Sequence, residues 1–202
     1  PVGQKVLDKL DTINLKGLAY AERGFRNLTN SKKAVKAPGD MAGLKIRVME
    51  NPVYIDTFKT LGANAVPMAW TEALTALQQG TIDGQENPVN VIYAFKLNET
   101  QKYLSMTKHT YAPALFLMSK KVFASFDKDT QAILVKAAQE AAQHERKWNA
   151  EQMEGQLKAL KEKGMEIIEP DSKDFQAAVK PVYDKYGAKF GTLLQEIEKA
   201  KK

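Results

Sequence analysis

Six polar or aromatic side chains lie together at the ends of three short predicted strands. They belong to the stretches RVMEN, PMAW and DGQEN, and they are Arg47, Trp70, Asp83, Gln85, Glu86 and Asn87. Of these, the arginine, an amide and the indole, with the amino end of the helix that Asn87 opens, suit the binding of a small organic anion. An arginine guanidinium grips a carboxylate through two parallel hydrogen bonds, and an indole can cover the apolar face of a carbon skeleton. Because ligands of parallel α/β sheets bind outside the carboxyl ends of the strands, the set predicts a site for a small organic anion.

Arg47, near the end of the strand in GLKIRVMENP, is the residue on which this prediction depends. Side-chain alternation along the strand places Arg47 on the face opposite the apolar residues, so that it projects into a cleft as a receiver for a carboxylate. The alternative is that Arg47 pairs with a carboxylate of the protein itself, from Glu50, Glu72 or Glu86.

The elements that would position these residues alternate between strand and helix from residue 44 to residue 96. The predicted strands are LKIRV, NAVPM and TIDGQ, and the predicted helices are NPVYIDTFKTLG, TEALTALQQG and NPVNVIYAFKL. Asn51 and Asn87 each precede a proline and are placed to open a helix, whose amino end carries partial positive charge. Strands joined through helices are typical of a parallel α/β sheet.

The flanking segments predict further strands and one very long helix. GLAYAERGFRNLT, YAPALFLMSKKVF and MEIIEP have strand character, whereas PVGQKVLDKLDTI is helical and DMAG forms a helical turn. A helix capped by Asp127 and ended by Gly164 would span about 54 Å, so it must bridge two lobes or protrude. Gly155 could mark a bend in it, and two terminal helices are predicted at Asp174–Gly187 and Thr192–Lys202.

Composition excludes several classes of function. The chain has 202 residues, 44% hydrophobic and 27% charged, and its 24 acidic residues are mixed among 30 basic ones for a net charge of +6. A mixed charged surface without interleaved aromatic residues does not favour nucleic-acid binding. The absence of cysteine excludes disulfides and thiol chemistry. The longest apolar run, Tyr111–Met118, is far shorter than the ~20 residues of a membrane-spanning helix, so no direct membrane insertion is expected.

Other chemistry has weaker support. Asp83 and Glu86 could form an acid/base pair, although a turn beside Gly84 explains Asp83 more simply. His109 could be a base or a ligand-facing donor, and neither it nor His144 has metal-site neighbours, so no metal is expected. No phosphate loop or nucleophile motif is present, so no cofactor is expected. The alternative function is an enzyme acting on a small carboxylic acid, with Glu86 or His109 as base.

Three stretches carry a family resemblance. GLKIRVMENP, LGANAVPMAWTEALTALQQGTIDGQENP and QKYLSMTKH resemble the extracytoplasmic solute-binding proteins of tripartite ATP-independent periplasmic (TRAP) transporters. The resemblance covers essentially the whole chain. It begins about a third of the way into the usual family sequence, which implies that the amino-terminal part of the fold and the signal peptide of the precursor are absent here.

The resemblance implies roles for individual residues. Arg47 falls on the arginine that forms a salt bridge to the ligand carboxylate, and Asn87 falls on the asparagine that bonds the same group. Trp70 falls on the aromatic residue that packs on the ligand, and Arg26 falls near a second ligand arginine. Two further positions fall near the pocket lining: Asn51 and His109.

The resemblance also implies a fold and a biological role. The expected fold is periplasmic binding protein-like, with two α/β lobes, crossing strands and a long bridging helix. Residues 1–108 would form mainly the lobe with the carboxylate site, and residues 109–202 the crossing strand, the long helix and the terminal helices. A periplasmic receptor of this kind performs no chemistry: it binds a sugar acid or a related hydroxy or dicarboxylic acid and delivers it to the TRAP membrane subunits. The effector-sensing domain of a regulator would share the two-lobe shape.

Overall fold

The computed structural model describes residues 2–200, which form α-helices, short 3-10 helices and one sheet. The α-helices are α1 Val2–Lys9, α2 Pro52–Thr60, α3 Trp70–Gln79, α4 Val89–Ala94, α5 Lys120–Ser125, α6 Lys128–Glu162, α7 Ser172–Ala178, α8 Lys180–Tyr186 and α9 Leu193–Ala200. The strands are β1 Leu15–Asn30, β2 Lys45–Val48, β3 Asn64–Pro67, β4 Gly84–Pro88, β5 Tyr103–Ser119 and β6 Glu166–Ile168. The 3-10 helices are Leu10–Ile13, Pro38–Met41, Leu97–Glu99 and Gly187–Phe190.

The sheet is mixed, with the strand order β3-β2-β4-β1-β5-β6. Strand β2 runs parallel to both β3 and β4, whereas β1 is antiparallel to β4, and β5 is parallel to β6. The register places Arg47 opposite Gln85, and Arg26 opposite Pro88. The α/β class is therefore confirmed, and the predicted parallel arrangement holds for β2, β3 and β4 and not across the β4–β1 pair.

The chain divides into two compact units. One contains residues 2–24, 112–152 and 191–200, and the other contains residues 25–111 and 153–190. The long elements β1, β5 and α6 contribute residues to both units. The expected division of function between residues 1–108 and 109–202 stays a prediction.

The unit of residues 25–111 and 153–190 has a separate apolar cluster on each side of its strands. Ile46 and Val48 of β2 pack with Phe58 of α2 on one side. Helices α3, α4 and the end of α6 supply the other cluster, through residues such as Ile92 and Leu160. Burying a side chain of this size stabilises the fold by about 1.5–3 kcal/mol, so both layers hold β2 and β4 in place.

The other unit, of residues 2–24, 112–152 and 191–200, has a smaller apolar cluster. Ala19 of β1 packs with Ala138 and Ala142, which lie one helical turn apart on α6. An exposed ion pair between Lys5 and Glu196 joins α1 to α9. Such exposed pairs contribute little, typically below about 1 kcal/mol.

The long helix is confirmed. Helix α6 has 35 residues, and the Asp127 carboxylate accepts a hydrogen bond from the Thr130 amide at 2.7 Å, as expected of its cap. Gly164 follows with φ of +90°, a left-handed conformation that favours glycine and ends a helix. No helix among residues 2–200 is both long enough and apolar enough to cross a membrane.

Two of the predicted boundaries around the site were wrong. The third strand is GQENP and not TIDGQ, because Gly84–Pro88 pairs along β1. Asn87 therefore lies inside β4, and α4 begins after it at Val89, with Pro88 at the N-cap. An Asn-Pro pair also opens α2, where the Asn51 side chain does accept a hydrogen bond from Val53. The two Asn-Pro pairs differ because the backbone of Asn87-Pro88 pairs with β1, whereas Asn51-Pro52 follows the end of β2 and opens α2.

Other boundaries also differ from the prediction. Strand β5 begins at Tyr103, before the predicted strand YAPALFLMSKKVF. The last four residues of that predicted strand, KKVF, belong to α5. The predicted helix Asp174–Gly187 is split at Val179, since Pro181 supplies no backbone N–H donor and starts a new helix. The first and last residues of the predicted terminal helices, at 1, 201 and 202, lie outside the described residues.

Two glycines give a matched test of the fold. A Cβ at Gly84 would lie 2.1 Å from the Thr29 carbonyl oxygen, whereas a Cβ at Gly155 meets nothing within 4 Å. We expect Gly84→Ala to destabilise the protein by about 3 kcal/mol, since backbone must move, and Gly155→Ala to stabilise it by about 0.5–1 kcal/mol. Urea unfolding measures both, and equal stabilities for the two variants would contradict the β4–β1 packing.

Candidate carboxylate-binding site

Arg47 is a buried cation without an ion pair. Its side chain projects from β2, and the residue is 5% exposed. Its Nε and Nη2 both donate to the Met68 carbonyl oxygen, at 2.9 and 2.6 Å. Burial lowers the pKa of its guanidinium, which the nearby charge of Glu86 partly offsets. No acidic side chain of residues 2–200 pairs with Arg47, so the alternative in which it merely bonds Glu50, Glu72 or Glu86 is not observed.

The indole of Trp70 covers the Arg47 guanidinium. The Arg47 Cζ lies 5.6 Å from the ring centroid, within the range of a cation–π interaction. Trp70 is the first residue of α3 and is half-buried, with its ring edge-on to Phe95 at 5.2 Å. It also packs against the apolar cluster that contains Ile92 and Leu160, so it serves the core as well as Arg47.

Arg26 is held by a buried carboxylate. Its Nε donates to Glu86 Oε2 at 2.5 Å, and its Nη2 donates to Glu86 Oε1 at 2.7 Å and to the Glu86 carbonyl oxygen at 2.6 Å. The two residues lie diagonally across the β1–β4 pair, in which Arg26 is opposite Pro88 and Glu86 is opposite Leu28, and the Glu86 side chain is fully buried. This arrangement uses the planar fork of arginine and neutralises its charge.

His109 completes this group from β5. Its Nε2 lies 3.0 Å from Glu86 Oε2, its Nδ1 lies 2.8 Å from the Thr107 hydroxyl, and its ring is edge-on to Phe58. Burial alone would raise the pKa of Glu86, but hydrogen bonds and charges from His109 and Arg26 outweigh it and lower that pKa. Glu86 is thus an ionised carboxylate with both oxygens occupied.

Asn87 lies on the same face of the sheet as Arg47. Register pairs Arg47 with Gln85, and Asn87 is two residues further along β4, where alternation returns it to that face. Asn87 is 5% exposed, and its Nδ2 donates to Gln85 Oε1 at 2.6 Å. Alternation places the Glu86 side chain on the opposite face of β4, where it bonds Arg26, and the charges of both residues still act on the Arg47 guanidinium.

Two predicted residues have local structural roles. Asn51 is exposed, and its Oδ1 accepts a hydrogen bond from the Val53 amide at 2.9 Å as the N-cap of α2. Asp83 accepts a hydrogen bond from the Lys45 amide at 2.8 Å, so its carboxylate joins the start of β4 to the start of β2. No cluster of His, Asp or Glu within residues 2–200 could hold a metal ion.

Tyr54 is a site residue that sequence reasoning missed. Its ring lies 5.8 Å from the Arg26 Cζ, and its hydroxyl bonds the Thr110 side chain. Burial raises the pKa of Tyr54, and the charge of Glu86 adds to this effect. The sequence did contain one indication of this role, because Tyr54 lies on the first turn of α2, which follows the carboxyl end of β2.

Comparison with known proteins shows the family. Residues 1–189 match the model of the bacterial extracellular solute-binding proteins, family 7 (DctP). A solute-binding protein of Verminephrobacter eiseniae is 45% identical over 99% of this chain and 60% of its own length. The 2,3-diketo-L-gulonate-binding periplasmic protein YiaO of Escherichia coli is 42% identical over 88% of this chain and 55% of its own length. The chain therefore belongs to this family of solute-binding proteins.

Solved structures agree with the family assignment. A TRAP periplasmic solute-binding protein from Bordetella bronchispeptica has a TM-score of 0.91 and 46% identity, covering 96% of this chain and 65% of its own. One from Polaromonas sp. JS666, bound to D-erythronate, has a TM-score of 0.89 and 42% identity over 94% of this chain and 63% of its own. Other matched structures hold galactonate or D-glucuronate. The chain thus spans less than two thirds of these first relatives.

Glu86 provides a test of the buried group. We expect Glu86→Gln to cost about 3–5 kcal/mol of stability, since Arg26 would keep a buried charge without its partner. Urea unfolding at several pH values measures this, with the exposed Glu50→Gln as control, expected within about 0.5 kcal/mol of wild type.

The same carboxylate predicts a dependence on pH. The pKa of Glu86 is lowered from its ordinary value of 4.5 on folding, so the unfolded chain takes up this proton at higher pH than the folded protein does. The stabilisation is therefore complete above about pH 4.5 and is lost as the pH falls through the folded pKa. Glu86→Gln should lack this component of acid sensitivity, and an unchanged pH profile would show that Glu86 does not contribute it.

Proposed function

We propose that this chain is part of a periplasmic receptor that binds a small carboxylate and performs no chemistry on it. One observation carries the proposal: Arg47 is buried, with two of its nitrogens on a single backbone carbonyl and no anionic partner within residues 2–200. A buried charge is costly unless it is paired, so the site favours an anion from outside the protein. The family membership of the chain supports the same function.

The neighbours of Arg47 fit an organic acid. Asn87 supplies an amide on the same sheet face, and Trp70 offers an aromatic surface next to the guanidinium. A carboxylate on Arg47 and Asn87 with its carbon skeleton against Trp70 satisfies all three groups. Arg26, Asn51 and His109 are proposed to line the remaining pocket, with Arg26 fixed by Glu86 and therefore preorganised.

A sugar acid or a related hydroxy acid is the proposed ligand class. Relatives at about the same identity bind D-erythronate, galactonate or 2,3-diketo-L-gulonate. These acids share one carboxylate and several hydroxyl groups, which match a single unpaired guanidinium surrounded by neutral amides and aromatic rings. We propose that the acid is delivered to TRAP membrane subunits in the periplasm, which the family membership of the chain supports.

An enzymatic role for Glu86 or His109 has less support. Both Glu86 oxygens accept hydrogen bonds, and its lowered pKa makes it a weak base. His109 is held between Glu86 and Thr107 through both ring nitrogens. A general base needs a free basic atom within reach of its substrate, and neither side chain offers one here.

The central test replaces Arg47. We expect Arg47→Ala to weaken binding of the preferred acid by about 2–5 kcal/mol, and Arg47→Lys also to bind poorly because a point charge cannot replace the planar fork. Thermal-shift screening of the full-length protein against D-erythronate, galactonate, D-glucuronate and dicarboxylates identifies the acid, and calorimetry measures the affinities.

A matched arginine gives the control. Arg146 is exposed on α6, where its Nε donates to the Ala142 carbonyl oxygen, and Arg146→Ala should bind as wild type does. Binding by Arg47→Ala within threefold of wild type would contradict the proposal. Conversion of the acid to a product by the wild-type protein would favour the enzyme instead.

Trp70 should report binding by fluorescence. Its indole lies against Arg47, whereas Trp148, the other tryptophan of the chain, lies on α6 and is 49% exposed. We expect the acid to change the emission of wild type and of Trp148→Phe, and to leave Trp70→Phe nearly unchanged. A full signal in Trp70→Phe would place the ligand away from the indole.

A further inference from the structure

Four buried polar side chains form a continuous hydrogen-bonded relay behind Arg47. Asn87 Nδ2 donates to Gln85 Oε1 at 2.6 Å, and Gln85 Nε2 donates to the Thr29 hydroxyl at 2.9 Å. The Thr29 hydroxyl in turn donates to Gln101 Oε1 at 2.9 Å. Thr29 and Gln85 are fully buried, and Gln101 is 2% exposed. The relay links three distant segments of sequence: β1, β4 and the turn before β5.

The backbone fixes the direction of this relay. Gln101 Nε2 donates to the Thr100 carbonyl oxygen at 3.0 Å and to the Asp83 carbonyl oxygen at 3.4 Å. A carbonyl oxygen can only accept, so the amide nitrogen of Gln101 must face these two groups and its oxygen must face Thr29. Thr29 then has to donate to Gln101 and accept from Gln85. The oxygen of Gln85 is left for Asn87, which must turn its nitrogen towards it.

We propose that Thr29 and Gln101 are positioning residues for the ligand, because they set the orientation of the Asn87 amide. This inference rests on the proposed function, in which Asn87 binds the carboxylate beside Arg47. One Asn87 N–H is used by Gln85, and the other remains for an oxygen of the acid. Without the relay, the side-chain amide of Gln85 can exchange the positions of its oxygen and nitrogen. The Asn87 amide can then rotate by about 180° and place its oxygen where its N–H donor pointed at the acid. An oxygen there repels a carboxylate.

Affinity measurements test the relay. Thr29→Val keeps the shape of the side chain but removes its donor and acceptor, and we expect it to weaken galactonate binding about five- to tenfold, as loss of one net hydrogen bond does. Thr29→Ser should restore binding. Ser105→Ala is the matched control, because Ser105 is fully buried and its hydroxyl accepts from the Val35 amide outside the relay. Calorimetry on the full-length protein gives the affinities.

A double-mutant cycle separates positioning from a general structural effect. In an Asn87→Ala background, Thr29→Val should cause no further loss of galactonate affinity, because the group that it orients is gone. An equal loss in both backgrounds would overturn the relay while leaving the proposed function intact. Unchanged binding by both Asn87→Ala and Arg47→Ala would instead overturn the proposed function.

A measurement without ligand tests the relay by itself. The side-chain amide signal of Asn87 in ¹⁵N–¹H NMR spectra should shift in Thr29→Val and return in Thr29→Ser, because Gln85 joins the hydrogen bonds of Thr29 and Asn87. Ser105→Ala should leave that signal in place. An Asn87 signal that is the same in wild type and Thr29→Val would overturn the inference, whichever acid the protein binds.

Discussion

The candidate site is built around the cost of burying a positive charge that no carboxylate of residues 2–200 pairs with. A paired arginine is the ordinary way to bury a guanidinium, and Arg26 follows it through its bonds to Glu86. Arg47 instead bonds the Met68 carbonyl oxygen and lies against the face of Trp70, and no carboxylate of residues 2–200 forms an ion pair with it. Both interactions orient the group and neither cancels its charge. The free energy that a counter-ion would supply is therefore available to an anionic ligand.

The sheet topology makes this arrangement possible. The Met68 carbonyl oxygen is free to accept from Arg47 because β3 ends at Pro67 and α3 begins at Trp70, so Met68 lies between two hydrogen-bonded elements. The Met68 amide still bonds the Val48 carbonyl oxygen at 3.3 Å, which ties this connection to the end of β2. The same short connection delivers the indole to the guanidinium. The position of the candidate site at the carboxyl ends of parallel strands thus follows from where the backbone ladder stops.

Local patterns in the sequence were sufficient to predict the elements β2, β3, α2 and α3. They therefore predicted on which elements Arg47 and Trp70 lie. Their strand alternation, Asn51 cap and Gly80 terminus all act within a few residues. The strand β4 was misplaced because its boundaries depend on pairing with β1, about 60 residues earlier, which no local pattern contains. For the same reason sequence spacing could not show that Glu86 bonds Arg26 and His109, or that Thr29 meets Gln101. Tyr54 was missed because its partners lie on β1 and β5.

The charges of Arg26, Glu86 and Arg47 bear on how many carboxylates a ligand at this site would need. Arg26 and Glu86 cancel as a bonded pair, so among the site residues described above Arg47 is the arginine left without an ion pair. Burial lowers the pKa of Arg47 and the charge of Arg26 adds to this, whereas the nearby charges of Glu86 and Glu50 oppose it and favour the cationic form. One ligand carboxylate is enough to compensate this charge, whereas a second carboxylate would need another cation. Under the function proposed above, an acid with one carboxylate and several hydroxyl groups is therefore a better match to Arg47 than a dicarboxylic acid, since hydroxyl groups require only the hydrogen-bonding partners that amides and tyrosines supply.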